Sequence, residues 1–104
     1  MGKVIVLVKD MFFRVKIEAI CKNAEVEPIF VDSPQKIPFA WICLVDLEKF
    51  GSDWVKDVKR TYPNLRLVGY YSHVNVDVKK TAQKNGFDTV LPKSEFLEKL
   101  PQIL

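Results

Sequence analysis

The chain has 104 residues, 48% hydrophobic and 28% charged, with a formal net charge of +3. That length and balance fit one globular domain spanning residues 1–104 and exclude a disordered or fibrous chain. The charge excess is small and the lysines are spread along the chain, no apolar run reaches membrane-spanning length, and no cleavable signal pattern is present, so the expectation is a cytoplasmic protein with no nucleic-acid or membrane partner.

Val4 to Val8 (VIVLV) is an unbroken apolar run, as expected of a strand buried on both faces. It ends in Lys9-Asp10, and the Asp10 carboxylate suits the N-cap of a helix over 11–23. Phe13, Ile17, Ile20 and Ala24 form the apolar stripe of that helix. Pro28 to Val31 reads as a second strand, and Asp32 to Pro38 (DSPQKIP) has two prolines and no helical period. Ala40 to Glu48 (AWICLVDLE) holds the central strand, in which six apolar residues stop abruptly at Asp46. A carboxylate there is costly inside and useful at the rim, because ligands of open parallel sheets sit beyond the carboxyl ends of the strands. Cys21 in the first helix and Cys43 in this strand read as buried free thiols; their placement suggests neither a disulfide framework nor a metal site.

Ser52 is the expected cap of a helix that turns Val55, Val58 and Tyr62 inward and Lys56 and Lys59 outward, with Pro63-Asn64 as its stop. Leu65 to Tyr71 is a strand, followed by a helix over 75–85 ending at Gly86, the residue type best suited to a left-handed cap. Lys79, Lys80 and Lys84 form its solvated face. Thr89 to Leu91 is the last strand. Ser94 then caps a final helix bearing Phe96, Leu97 and Leu100, which Pro101 breaks or restarts, and Ile103-Leu104 dock the terminus.

Five strands alternating with helices imply an α/β fold: a three-layer, flavodoxin-like sandwich with a parallel sheet of order 2-1-3-4-5 and right-handed crossovers. In that order Asp10, Asp46 and Lys93 converge on one rim although far apart in sequence. The connection from the second strand to the third is short for a crossover. Seven residues (DSPQKIP) reach about 24 Å when stretched, against roughly 20 Å needed. The second helix should therefore be absent or reduced to one turn, leaving one sheet face near the first two strands thinly covered and open to a partner or a second copy of the chain.

With that rim assembled, the chain resembles the receiver domain of two-component response regulators over nearly its whole length, in an atypical or pseudo-receiver form. Asp46 matches the phosphoacceptor aspartate, Asp10 the second residue of the acidic pair that helps hold Mg²⁺, and Lys93 the lysine that pairs with the acceptor. Gly86-Phe87-Asp88 and Val90-Leu91-Pro92-Lys93 resemble the family's closing stretch. Departures are also plain. Lys9 stands in place of the first acid, Tyr71 at the switching Thr/Ser position with Ser72 beside it, Val90 at the aromatic switch position, and Ser94 in place of a proline; no Met-Pro follows Asp46. The resemblance implies a metal site from Asp10, Asp46 and the backbone near Glu48, with Mg²⁺ weakened by Lys9. Lys9 either folds into the pocket and neutralises Asp46, or carries its charge out to water.

The implied function is a stand-alone signalling module that works by protein–protein interaction, its partner a histidine kinase or an effector, with a homodimer also open. The interaction would use the helix-poor face or the last helices and strand. The alternatives are a competent receiver, phosphorylated on Asp46 by a histidine kinase with Mg²⁺, and a structural domain without phosphorylation whose rim is a salt-bridge cluster. A nucleotide-binding domain is disfavoured because the KDMFF turn has no glycine for phosphate approach. An independent enzyme is disfavoured because His73, the single histidine, reads as a loop residue with no nucleophile to serve.

Overall fold

The computed structural model describes residues 2–72 and 74–104; His73 lies outside them. Its elements run β1 (Lys3–Leu7), α1 (Met11–Asn23), β2 (Glu27–Phe30), a single 3₁₀ turn (Pro34–Lys36), β3 (Ile42–Asp46), α2 (Leu47–Phe50), α3 (Val55–Thr61), β4 (Arg66–Tyr71), α4 (Val76–Asn85), β5 (Thr89–Pro92) and α5 (Lys93–Ile103). The five strands form one parallel sheet of order β2-β1-β3-β4-β5, the expected flavodoxin-like arrangement. Its register sets Leu7 beside Val45, Asp46 beside Tyr70 and Tyr71 beside Pro92. Chain segments leaving β1, β3, β4 and β5 therefore share one edge.

Strand alternation divides the core in two. Val4, Val6, Leu44, Val68 and Tyr70 pack under α1 and α5 with Phe13, Ile17, Phe96 and Leu100. Ile5, Leu7, Cys43, Val45, Leu67 and Tyr71 face the other way, against Ile37, Ala40, Leu47, Val55, Ala82 and Phe87.

The second helix is indeed reduced to one turn, opened by Pro34 at its first position. The face over β1 is nevertheless not thinly covered. Ile37 and Ala40, both buried, lie across it from an otherwise irregular segment, and Ile5 and Leu7 are fully buried. Only the edge strand is incompletely covered, with Ile29 and Val31 half-buried.

Four further expectations need correction. Ser52 does not cap α3; its hydroxyl is buried and accepts the Asn85 side-chain N–H at 2.8 Å, tying the start of α3 to the end of α4. Ser94 lies inside the first turn of α5, whose cap position is Pro92. Pro101 does not break α5, because it falls in an exposed final turn where few backbone bonds remain to be lost. Lys59 does not face water freely; it is half-buried and reaches Asp88 at 2.9 Å. The four-residue α2 was not expected at all. It exists because Asp46 caps it and because β4 offers Gly69 beneath it: a Cβ there would lie 2.7 Å from Leu47 Cγ and Cδ1 and 3.0 Å from the Phe87 ring.

Candidate functional site

At the carboxyl edge of the sheet lies a hollow of about 250 Å³ lined by Asp46, Glu48, Tyr70, Ser72 and Lys93. The two aspartates reach this edge in the same way. Asp46 closes β3 and Asp10 lies three residues past β1, and each caps the helix that follows, satisfying amides that otherwise lack partners. Asp10 Oδ1 accepts the Phe12 N–H at 2.9 Å and the Phe13 N–H at 3.2 Å. Asp46 Oδ1 accepts the Glu48 N–H at 3.1 Å and the Lys49 N–H at 3.3 Å. Glu48, one turn into α2, accepts the Ser72 backbone N–H and so fastens α2 to the end of β4.

The three charged residues placed together by the sequence do meet here, but with different pairing. Lys93 stands 3.8 Å from Asp10 and 4.9 Å from the centroid of the Phe13 ring, and no ion pair joins it to Asp46 among the described residues. Both partners of the Lys93–Asp10 pair are half exposed, so its worth is at most about 1 kcal/mol. Lys9 sets its ammonium 5.8 Å from the centroid of the Phe50 ring and, among the described residues, makes no ion pair with Asp46. Ser72 lines the hollow, whereas Tyr71 does not: it is buried in the opposite core among residues that include Leu47 and Phe87.

The phenol that does reach the hollow is Tyr70, the strand neighbour of Tyr71. Its side chain is 2% exposed, and its hydroxyl has no hydrogen-bond partner among the described residues. Burial, then the negative charge of Asp46 and the approach of its carboxylate to the hydroxyl just outside hydrogen-bond geometry, with lesser contributions from Asp10 and Glu48, raise it far above the usual phenol range. The signal that could have found it was strand parity. Tyr70 is two residues from Val68 on the α1/α5 side, while Tyr71 follows Leu67 and Gly69 onto the other.

A divalent ion needs several oxygen ligands converging on one point. Among the described residues no group of three or more His, Cys, Asp or Glu side chains is gathered to hold one. Asp10 is turned to the α1 amides and Lys93, and Glu48 to Ser72. The expected set, two carboxylates and the backbone near Glu48, does not require such a cluster; of its side chains, Asp10 and Asp46 each hold one oxygen on the amides of the following helix. Cys21 and Cys43 are free and buried, away from this edge. No helix among the described residues is long and apolar enough to cross a membrane.

No protein-family profile matches the sequence, and no curated protein is similar to it at the level of sequence. Solved structures are similar in fold. A response regulator from Thermotoga maritima superposes with a TM-score of 0.82 at 13% identity, covering 99% of this chain and 93% of that one. The N-terminal signal receiver domain of a response regulator from Bacteroides fragilis gives 0.81 at 20% identity, over 100% and 93% of the two chains. The phosphorylated cyanobacterial phytochrome response regulator RcpA gives 0.77 at 17% identity, over 98% and 87%. The chain thus has the fold of a response-regulator receiver domain.

Proposed function

We propose that the chain is a receiver-fold signalling module that acts by contacting another protein, and that its Asp46 hollow does not work as a Mg²⁺-dependent phosphoacceptor. The observation that carries this reading is the outer surface of α1 beside the hollow. Met11 is 66% exposed and Phe12 84% in the first turn directly after Asp10, and Val15 65% in the next. Large apolar side chains clustered in water mark an interaction site more often than chance exposure. Lys9 in place of the first acid supports the second half of the proposal, since it leaves two carboxylates to hold a divalent ion. So does the pairing of Lys93 with Asp10 instead of Asp46.

A second reading, in which a histidine kinase phosphorylates Asp46, is favoured by the placement of Asp46 and Lys93 in one hollow and by the fold shared with a phosphorylated regulator. Two measurements separate the readings. Amide NMR shifts are recorded with millimolar Mg²⁺ and beryllofluoride, a phosphoryl mimic; the first reading expects no change around Asp46. Localised shifts that vanish in Asp46→Asn would replace it with the second. A photo-crosslinking residue in place of Phe12, in cells that make the chain, should capture one discrete protein, with capture blocked by Val15→Asp. Capture of nothing would overturn the contact surface, and capture of the chain itself, with a dimer in sedimentation, would identify the partner as a second copy.

A further inference from the structure

Tyr70 is an unusual member of the hollow. Solvent does not reach its hydroxyl oxygen, so water in the hollow does not satisfy it, and no protein acceptor among the described residues meets hydrogen-bond geometry. A buried hydroxyl without a partner carries a free-energy penalty. Phenylalanine would fill the same space without it. Asp46 sits beside Tyr70 across the β3–β4 ladder and lines the same hollow, so the acceptor within reach of a small adjustment is the carboxylate on which the site is centred.

The ring end of Tyr70 is as well connected as its hydroxyl is isolated. Its centroid is 4.8 Å from that of Phe13, at 45°, and 4.8 Å from that of Phe96, at 44°. Phe13 and Phe96 are themselves 6.1 Å apart, so the three rings form one cluster. Phe13 belongs to α1, next to the exposed Phe12, and Phe96 to α5. The ammonium of Lys93, another group of the hollow, lies 4.9 Å from the Phe13 centroid. Tyr71 enters the other core, and Val90 offers no polar atom, so neither makes this connection.

We propose that Tyr70 is the sensing residue of the hollow: its hydroxyl responds to what stands at Asp46, and its ring passes the response through Phe13 and Phe96 to α1 and α5. The biological use of this coupling rests on the α1 surface being the contact surface. The coupling itself does not, and it is measurable on the isolated chain.

The experiment compares amide NMR shifts of the full chain and Asp46→Asn, then repeats the comparison in a Tyr70→Phe background. Asparagine keeps the cap of α2 while removing the charge. Asp46→Asn should move the amides of Phe12 to Val15 and of Glu95 to Leu97, and those movements should fall about threefold or more in Tyr70→Phe, as a coupling between two residues requires. Shifts within Leu47 to Phe50 should be the same in both backgrounds, since they report the cap. Equal α1 and α5 movements in both backgrounds would overturn the proposal. A second readout covers a Tyr70→Phe chain that does not fold. With 3-fluorotyrosine at all three tyrosines, lines assigned by Tyr62→Phe and Tyr71→Phe, Asp46→Asn should move the Tyr70 line most. A stationary Tyr70 line would also overturn it. Crosslinking from position 12 reads the surface directly, so loss of coupling and loss of the contact surface are distinguishable failures.

Discussion

The two faces of the sheet are closed by different means. On one side two long helices, α1 of 13 residues and α5 of 11, lie over an aromatic cluster. On the other, the cover is a 3₁₀ turn with its irregular continuation, a four-residue α2, a seven-residue α3 and a ten-residue α4. Val6 on the first side and Ile5 and Leu7 on the second are equally inaccessible, each at 0%. Burial of a strand therefore depends on apolar side chains laid across it and not on the regularity of the backbone that carries them. The irregular side does leave a mark at its surface. Phe39 and Trp41 stay 71% and 66% exposed, and a groove of about 300 Å³ opens between Pro34–Ile37 and α3, walled by Trp54, Val58 and Tyr62.

The contrast can be tested by removing one side chain at a time and following urea unfolding. Phe96→Ala, which empties the centre of the helical face, should cost about 3–5 kcal/mol, a large part of the ~5–15 kcal/mol typical of a domain. Ile37→Ala should cost about 2–3 kcal/mol, at the low end for such a truncation, because an irregular segment can settle into the space. A loss as large as that of Phe96→Ala would show the segment to be as rigid as a helix; a loss under about 0.5 kcal/mol would deny that it covers the core. Gly69→Ala should destabilise by about 1–3 kcal/mol, because the added methyl meets the buried Leu47. No loss would mean that α2 sits loosely on β4.

The smallest effect separates the two thiols, one in each core. Burial pushes Cys43 from 9.0 up to about 12, and burial, with Glu18, raises Cys21. A thiol held protonated in the folded state but free to ionise when unfolded stabilises fully below the unfolded value. That stabilisation is lost as pH rises from about 9 towards the folded value. Between pH 8 and 10 the Cys43 contribution should fall by about 1 kcal/mol, seen as a shallower alkaline loss of stability in Cys43→Ala. Equal slopes would place Cys43 in contact with water.

Much of this architecture is legible in the sequence because it is written in local patterns. The runs VIVLV and ICLV, the stripe of Phe13 and Ile17, and Gly86 at φ 115° each declare an element without reference to distant residues. The shortened crossover is legible too, since seven residues containing two prolines can hardly do otherwise. What escaped depends on tertiary context. Ser52 and Ser94 have the right chemistry for caps, yet Ser52 bonds Asn85 from another helix and Ser94 lies one residue inside α5. At the candidate site the gathering of Asp10, Asp46 and Lys93 follows from strand order alone. Its pairing does not, because a lysine stem chooses among nearby carboxylates and rings by fine geometry. The assignment of the phenol to Tyr70 instead of Tyr71 turned on a one-residue parity, which decides the face of a sheet completely.

The irregular stretch from Ser33 to Ala40 is held by the buried Ile37 and Ala40, by Phe39 set edge-on to Tyr62 at 6.0 Å, and by turn bonds from Lys36 to Ser33 and from Ile37 to Pro34. Those bonds are internal to the segment and none is part of the β1 ladder, so a local opening there would break no rung beneath it. In deuterium its amides should exchange through that small opening, far ahead of those of Ile5 and Leu7, which wait for the whole molecule to unfold. The shortened crossover has thus laid a segment with few backbone bonds of its own over β1.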